Sequence, residues 1–335
     1  LCPPGFGRVE AATMLEMLPG GAELNTAVGV ARLDATATAG RRVRTGRPAT
    51  TWVSRLPANP LGRYLENKAR EHGVDTSHMV WDDRSDARCG TYFLEEGAAP
   101  RASSVIYDRA NSACARLQAG EIDWAPIVRG ARYFLVTGIT PALSAGCLEA
   151  TREGMIAARA AGAQVVFDPN FRSKLWTFAQ ARETYLSLAP LVDIMSCSLE
   201  GLQGFYGLAG DTPLEAAKAG HDRFGWRAVV ATTRVDQGMW RNRVGATVVV
   251  IDASGTAAVF LVASVPDPGG AVQADGRILY AVNQAGVARL NADGSADGSF
   301  SAPAGSAVAL ALQADGKALV RSEEHTSELQ SPMYL

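Results

Sequence analysis

The sequence predicts an α/β protein: a mainly parallel sheet covered by helices, with a small β lid at one edge and a short β-rich segment after it. Three observations carry this. The hydrophobic period switches repeatedly between strand-like and helix-like. One complete β-α-β unit is legible between residues 132 and 168. Between about 78 and 110 the pattern changes to short strands with no helices between them.

In chain order, Gly20-Gly21 before Ala22-Glu23-Leu24-Asn25 reads as a tight turn opening a helix. Arg88–Leu94 and Ser103–Asp108 are the lid strands. Arg132–Thr137 is a buried strand, and the Ala-, Leu- and Met-containing stretch Ser144–Ala161 is a helix closed by Gly162. Gln164–Asp168 is the second strand of that unit, whose crossover should be right-handed. Asp193–Ser196 and Arg227–Thr232 are further strands separated by helices. The second of those helices starts at Thr212-Pro213-Leu214-Glu215, a capping box with proline at the first helical position.

Composition narrows the function classes. With 335 residues, 47% hydrophobic, 20% charged and a net charge of -2, the chain reads as soluble and globular. It has no field to gather nucleic acid. Apolar runs such as Ala246–Ile251 fall far short of the roughly 20 residues that cross a bilayer. Cys2, Cys89, Cys114, Cys147 and Cys197 are an odd number without a close pair, which suits reduced cytoplasmic thiols better than zinc or disulfides. Leu1–Gly7 lacks the charged start and apolar run of a signal peptide, so the N-terminus reads as truncated rather than targeted.

In an open α/β sheet, ligands lie beyond the carboxyl ends of the strands. Asp168-Pro169-Asn170-Phe171-Arg172 stands at such a place. Arginine offers a planar fork of donors and asparagine both donates and accepts, which suits a carboxylate or polyol; a proline turn with an exposed arginine is the alternative. Tyr107 and Arg109 alternate on one face of a lid strand, either reaching the same site or forming an exposed cross-strand pair. Gly20-Gly21 allows close backbone approach to a ligand beside a helix N-terminus, or is a plain turn.

Taken together, several segments resemble the pfkB-type, ribokinase-like carbohydrate kinases, and within them the 2-keto-3-deoxygluconate kinases. These are Gly20–Asn25 with Ala27–Leu33, Trp52–Arg63, Arg70–Asp75, Tyr92–Glu95, Pro100-Arg101, Val105–Arg109, Ser112-Ala113, Phe167–Arg172 and Ser198–Glu200. The resemblance covers roughly the first two-thirds of the chain. It implies a three-layer αβα sheet with a β lid, and ATP-dependent phosphorylation of a small sugar acid with Mg²⁺ neutralising the transferred group. It also implies that Gly21, Asn25, Tyr92, Tyr107, Arg109, Asn170 and Arg172 hold the substrate, the arginines meeting its carboxylate. A neutral sugar such as fructose or ribose suits Tyr107, Arg109 and Arg172 less well. A homodimer through the lid is compatible with the same reading.

On the nucleotide side the match weakens. Glu200 takes the acidic place of the family's Asn-x-x-Glu motif, which organises magnesium and phosphate through water, but Cys197 stands where the asparagine belongs. The alternative for Glu200 is a buried glutamate satisfying helix-start amides. The family's Thr-x-Gly-x-x-Gly turn becomes Thr233-Arg234-Val235-Asp236-Gln237-Gly238, so Thr233 and Gly238 survive and Val235 replaces the first glycine. Gly-Ala-Gly-Asp, which would supply an anion hole and the general base, has no counterpart: Gly-x-Gly-Asp occurs nowhere in the chain. Ala209-Gly210-Asp211 comes too early in the fold, just before the capping box. No catalytic residue is assigned, and negligible kinase activity is expected.

Gln273-Ala-Asp-Gly-Arg-Ile-Leu279 recurs 40 residues later as Gln313-Ala-Asp-Gly-Lys-Ala-Leu319. Asp-Gly turns at that period resemble blades of a bacterial β-propeller. Arg321–Ser331 looks like the conceptual translation of a sequencing adapter, a segment to set apart from fold reasoning. The expected organisation is therefore an incomplete kinase domain over 1–240, a junction over 241–272, a propeller-like fragment over 273–320 and an adapter-like tail over 321–335, together a chimeric open reading frame.

Overall fold

A computed structural model describes the chain except residues 6, 39–47, 97–102, 237–241, 253, 263–269, 273–277, 283–285, 291–308, 313–317, 322–332 and 335. It divides into two compact units, Leu1–Val192 and Asp193–Leu335. Among the described residues no helix is long and apolar enough to cross a membrane.

The first unit runs α1 (Ala22–Thr38), β1 (Arg55–Pro57), α2 (Pro60–Arg70), β2 (Val80–Asp82), β3 (Thr91–Glu95), β4 (Ser104–Asp108), α3 (Trp124–Val128), β5 (Tyr133–Thr137), α4 (Ile139–Leu143), α5 (Ala145–Ala160), β6 (Gln164–Asp168) and α6 (Phe178–Leu188). β5 and β6 pair in parallel, from Tyr133 with Gln164 to Thr137 with Asp168. Their crossover helix α5 begins where Ser144 Oγ accepts from Cys147 N at 3.1 Å. Cys147, Ala150, Thr151, Gly154, Met155 and Ala158 form its buried stripe at helical spacing. The lid is as expected from its alternating pattern: β3 and β4 pair antiparallel, with Tyr92 opposite Tyr107.

A buried charge anchors this unit. The Asp82 carboxylate lies 2.6 Å from Arg84 Nη2 and 3.5 Å from Arg55 Nη2, and Arg55 also pairs with Glu121. Hydrogen bonding from Arg84, with the Arg55 charge beside it, lowers the Asp82 pKa to about 2.

The second unit holds β7 (Ile194–Ser198), α7 (Leu199–Tyr206), α8 (Pro213–Phe224), β8 (Ala228–Asp236), β9 (Asn242–Ile251) and β10 (Ala257–Val262). β7 runs parallel to β8, whereas β9 is antiparallel to both β8 and β10. The capping box of α8 is present: Thr212 Oγ1 accepts from Glu215 N at 3.3 Å, and Glu215 Oε2 accepts from Thr212 N at 3.1 Å. Hydrogen bonds from the Thr212 hydroxyl and from the Asp211 and Thr212 amides hold the Glu215 carboxyl below its usual range. Trp226 is fully buried, stacked on Phe224 at 5.0 Å and edge-on to Tyr206 at 5.1 Å. Ala246–Ile251 lies inside β9, with Ala246–Val250 opposite the Ala228–Thr232 part of β8.

Beyond β10, β11 (Gly270–Val272), β12 (Ile278–Val282) and β13 (Gly286–Leu290) pair antiparallel, as do β14 (Ala309–Leu312), β15 (Ala318–Arg321) and β16 (Met333–Tyr334). The Asp-Gly turns at 273–277 and 313–317, and the adapter-like residues 322–332, lie outside the described residues.

Candidate functional site

The site is assembled within the first unit from three segments. The first is the glycine turn before α1. A Cβ on Gly20 would lie 2.5 Å from the Tyr92 hydroxyl, so the turn touches the lid only because that atom is missing. Gly21 has φ +135°, a conformation that strains L side chains. Its carbonyl accepts from Asn25 N at 2.9 Å and begins the helix. Glu23 then fixes the turn: its Oε1 accepts from Thr137 N (3.0 Å), Thr137 Oγ1 (2.8 Å) and Thr140 Oγ1 (3.1 Å). The helix start is thereby held at the carboxyl end of β5.

The second segment is the loop leaving β6. Asp168 O accepts from Gly138 N at 2.7 Å, and Asp168 Oδ1 accepts from Asn170 N at 2.9 Å. Asn170 has φ +40°, which asparagine tolerates better than most residues. Tyr185 Oη donates to Pro169 O at 2.6 Å, with its ring edge-on to Phe167 and Trp176. The loop is thus bonded along its length. Burial raises the Asp168 pKa, opposed by the Asn170 N–H and the Arg172 charge, while the Glu23 charge adds to the rise. Arg172 Nη1 donates to Phe171 O at 2.9 Å.

The third segment is the lid. The Tyr92 and Tyr107 rings lie 6.2 Å apart. The Arg109 guanidinium sits 4.2 Å from the Tyr107 ring centroid, and Lys174 Nζ lies 5.5 Å from the same centroid. Arg109 Nη2 is buried without a hydrogen-bond partner. Burial, with the Arg172 charge nearby, lowers the Arg109 pKa. Arg172 and Lys174 donate to main-chain carbonyls rather than carboxylates. Converging cations with an unused buried N–H make an arrangement suited to an anion carrying several oxygens.

Gly21, Tyr92, Tyr107, Arg109, Asn170 and Arg172 lie on these three segments, and Asn25 is exposed on the first turn of α1. Lys174 and Glu23 are additions that the sequence reading gave no role. Lys174 lies two residues beyond Arg172, in a loop already singled out. The hydroxyl and amide partners of Glu23 stand more than a hundred residues away, so no local pattern announces them.

In the second unit, Glu200 is exposed on the first turn of α7, while Ser198 Oγ accepts from Gly201 N at 3.1 Å as the cap. A buried, amide-satisfying role for Glu200 is thereby excluded. Cys197 is buried at the end of β7. Thr233 does not begin a loop after the strand, as the sequence reading expected. It continues β8 opposite Gly245, and the strand runs on through Val235 to Asp236. A β-branched residue where a glycine turn is expected favours that extension. Gly238 lies outside the described residues. No group of three or more metal-ligating side chains is present among the described residues.

Comparison with known proteins gives a consistent result. The profile of the pfkB family carbohydrate kinases matches residues 5–258. The 2-dehydro-3-deoxygalactonokinase of Haloferax volcanii is 38% identical over 269 residues, spanning 78% of this chain and 78% of its own. The crystal structure of 2-dehydro-3-deoxygluconokinase from Thermotoga maritima is 26% identical, with a TM-score of 0.66 over 85% of this chain and 79% of that one. An E. coli protein proposed to be a ribokinase II, solved with ATP and Mg²⁺, shares the fold at 20% identity, with a TM-score of 0.60 over 82% of this chain and 77% of that one. The architecture is therefore the ribokinase-like α/β fold.

Proposed function

The chain belongs to the pfkB family of carbohydrate kinases, and from that premise we propose that it binds a 2-keto-3-deoxy sugar acid but does not phosphorylate it at an enzymatic rate. The observation that carries the binding half is the half-buried Arg109 guanidinium, its Nη2 buried and unpartnered and Arg172 close enough to lower its pKa. A carboxylate placed there satisfies the orphan donor and relieves the repulsion between the two arginines. Tyr92, Tyr107 and Asn170 offer the hydroxyl and amide groups a polyol needs, and the Gly20-Gly21 turn lies against Tyr92 of the lid. Holding the carboxylate end fixes which hydroxyl is presented for transfer.

In this family ATP supplies the phosphoryl group and Mg²⁺ its charge neutralisation. The residues of this chain fit that role poorly: β8 continues through the expected nucleotide turn, Cys197 replaces an asparagine, and Gly-x-Gly-Asp is absent. Without an aspartate at a helix start, the attacking hydroxyl has no general base. The recurrent Asp-Gly turns and the adapter-like tail support a chimeric origin for residues beyond about 272. A descendant of an ATP-using kinase is assigned to the cytoplasm.

Isothermal titration of the full chain with 2-keto-3-deoxygluconate, and separately with fructose, tests the reading. Binding of the acid about a hundredfold tighter than the neutral ketose is expected from the charge-assisted contacts. Equal affinity for both, or no binding of the acid, would overturn it.

A further inference from the structure

Lys174 was not among the residues expected to hold the substrate, yet it is tied to them from two sides. Along the chain it follows Arg172 in the loop leaving β6. Across the fold it reaches the lid, where Nζ donates to Val105 O of β4 at 3.1 Å. The same ammonium lies 5.5 Å from the centroid of the Tyr107 ring, on which the Arg109 guanidinium packs at 4.2 Å.

Two cations thus share the Tyr107 ring, and Arg172 adds a charge near Arg109. A surface lysine is free to point its ammonium into water. Here it is turned onto the lid instead, at the ring that also carries Arg109. An ammonium has three N–H donors, and the bond to Val105 O uses one. The remaining donors, a mobile point charge at the ring that the fixed fork of Arg109 also packs on, suit a carboxylate with neighbouring hydroxyls.

We propose that Lys174 is a further specificity-determining residue of the sugar-acid site, joining the loop after β6 to lid strand β4 and adding the third positive charge that selects acids over neutral sugars. This rests on the binding reading above. It goes beyond that reading by assigning part of the selectivity to a residue outside the Asp168–Arg172 motif.

The test is titration of the full chain with 2-keto-3-deoxygluconate at low and at high chloride, for wild type, Lys174→Met and Lys174→Arg. Methionine keeps much of the apolar stem and removes the charge. The exposed position of Lys174 leaves folding intact, which unchanged melting checks. At low chloride K174M is expected to bind about tenfold more weakly, the size of one charge-assisted contact. The gap should narrow at high chloride, as screening removes a charge term, and K174R should stay within about threefold of wild type. Equal affinity of K174M and wild type, or a loss that is independent of chloride and not rescued by arginine, would overturn the inference and leave the binding reading standing. Failure of the wild type to bind the acid at any chloride concentration would overturn both.

Discussion

The two units of this molecule are built with similar care and equipped very differently. In residues 1–192 the strand ends are tied by bonds that span the sequence: Glu23 holds Thr137 and Thr140, Tyr185 holds Pro169, and Lys174 holds Val105. Each tie also holds one of the segments of the proposed sugar-acid site. In the described residues of 193–335, Trp226 is buried against aromatic neighbours and α8 carries a complete capping box. There several described polar residues serve the scaffold. Ser198 caps a helix, Glu215 caps another, and Thr233 continues a strand. The difference teaches that scaffold and chemistry are separable. Strand propensity tolerates Val235 in place of a glycine, whereas a phosphate-binding turn does not.

The sharpest way to break the comparison is Arg109→Ala. Removing the half-buried guanidinium should weaken sugar-acid binding about a hundredfold by calorimetry. An unchanged affinity would put the first unit on the same footing as the second. Next in size is Asp82→Asn, which strips Arg55 and Arg84 of their shared carboxylate and should lower stability by about 2 kcal/mol in urea unfolding. The pH dependence has a definite sign. Because the folded-state pKa of Asp82 is depressed to about 2, its contribution is complete above the ordinary aspartate range and is lost as pH falls from about 4 to about 2. D82N should flatten that part of the acid-unfolding profile. The smallest effect belongs to the second unit: Thr212→Ala removes the cap of α8 and should cost about 1 kcal/mol, with sugar-acid affinity unchanged. A matching loss of affinity would mean that the second unit takes part in holding the sugar.

What the sequence made legible was local. The α8 capping box, the lid strands and the β5–α5–β6 unit all rest on spacing within a short window, and the structure has each of them. The loop after β6 was legible because a strand end followed by Asp-Pro-Asn is itself a local signal. The ties that organise the site were not. Glu23 is bonded across 114 residues and Lys174 across 69, separations that no periodicity records. The ion pair of Arg55 with Glu121 is hidden for the same reason. The extension of β8 past Thr232 escaped notice on other grounds. The reading placed a turn after Thr232 by analogy with a glycine motif, and Val235 had already removed the residue that such a turn requires.

The central claim is that this chain keeps a sugar-acid site and lacks the aspartate that would use it. The most direct measurement is ATP-dependent phosphorylation of 2-keto-3-deoxygluconate by the full chain, with R109A run alongside. The account predicts no turnover by the wild type above that of R109A. Turnover by the wild type that R109A lacks would show that another group serves as the base, and would contradict it.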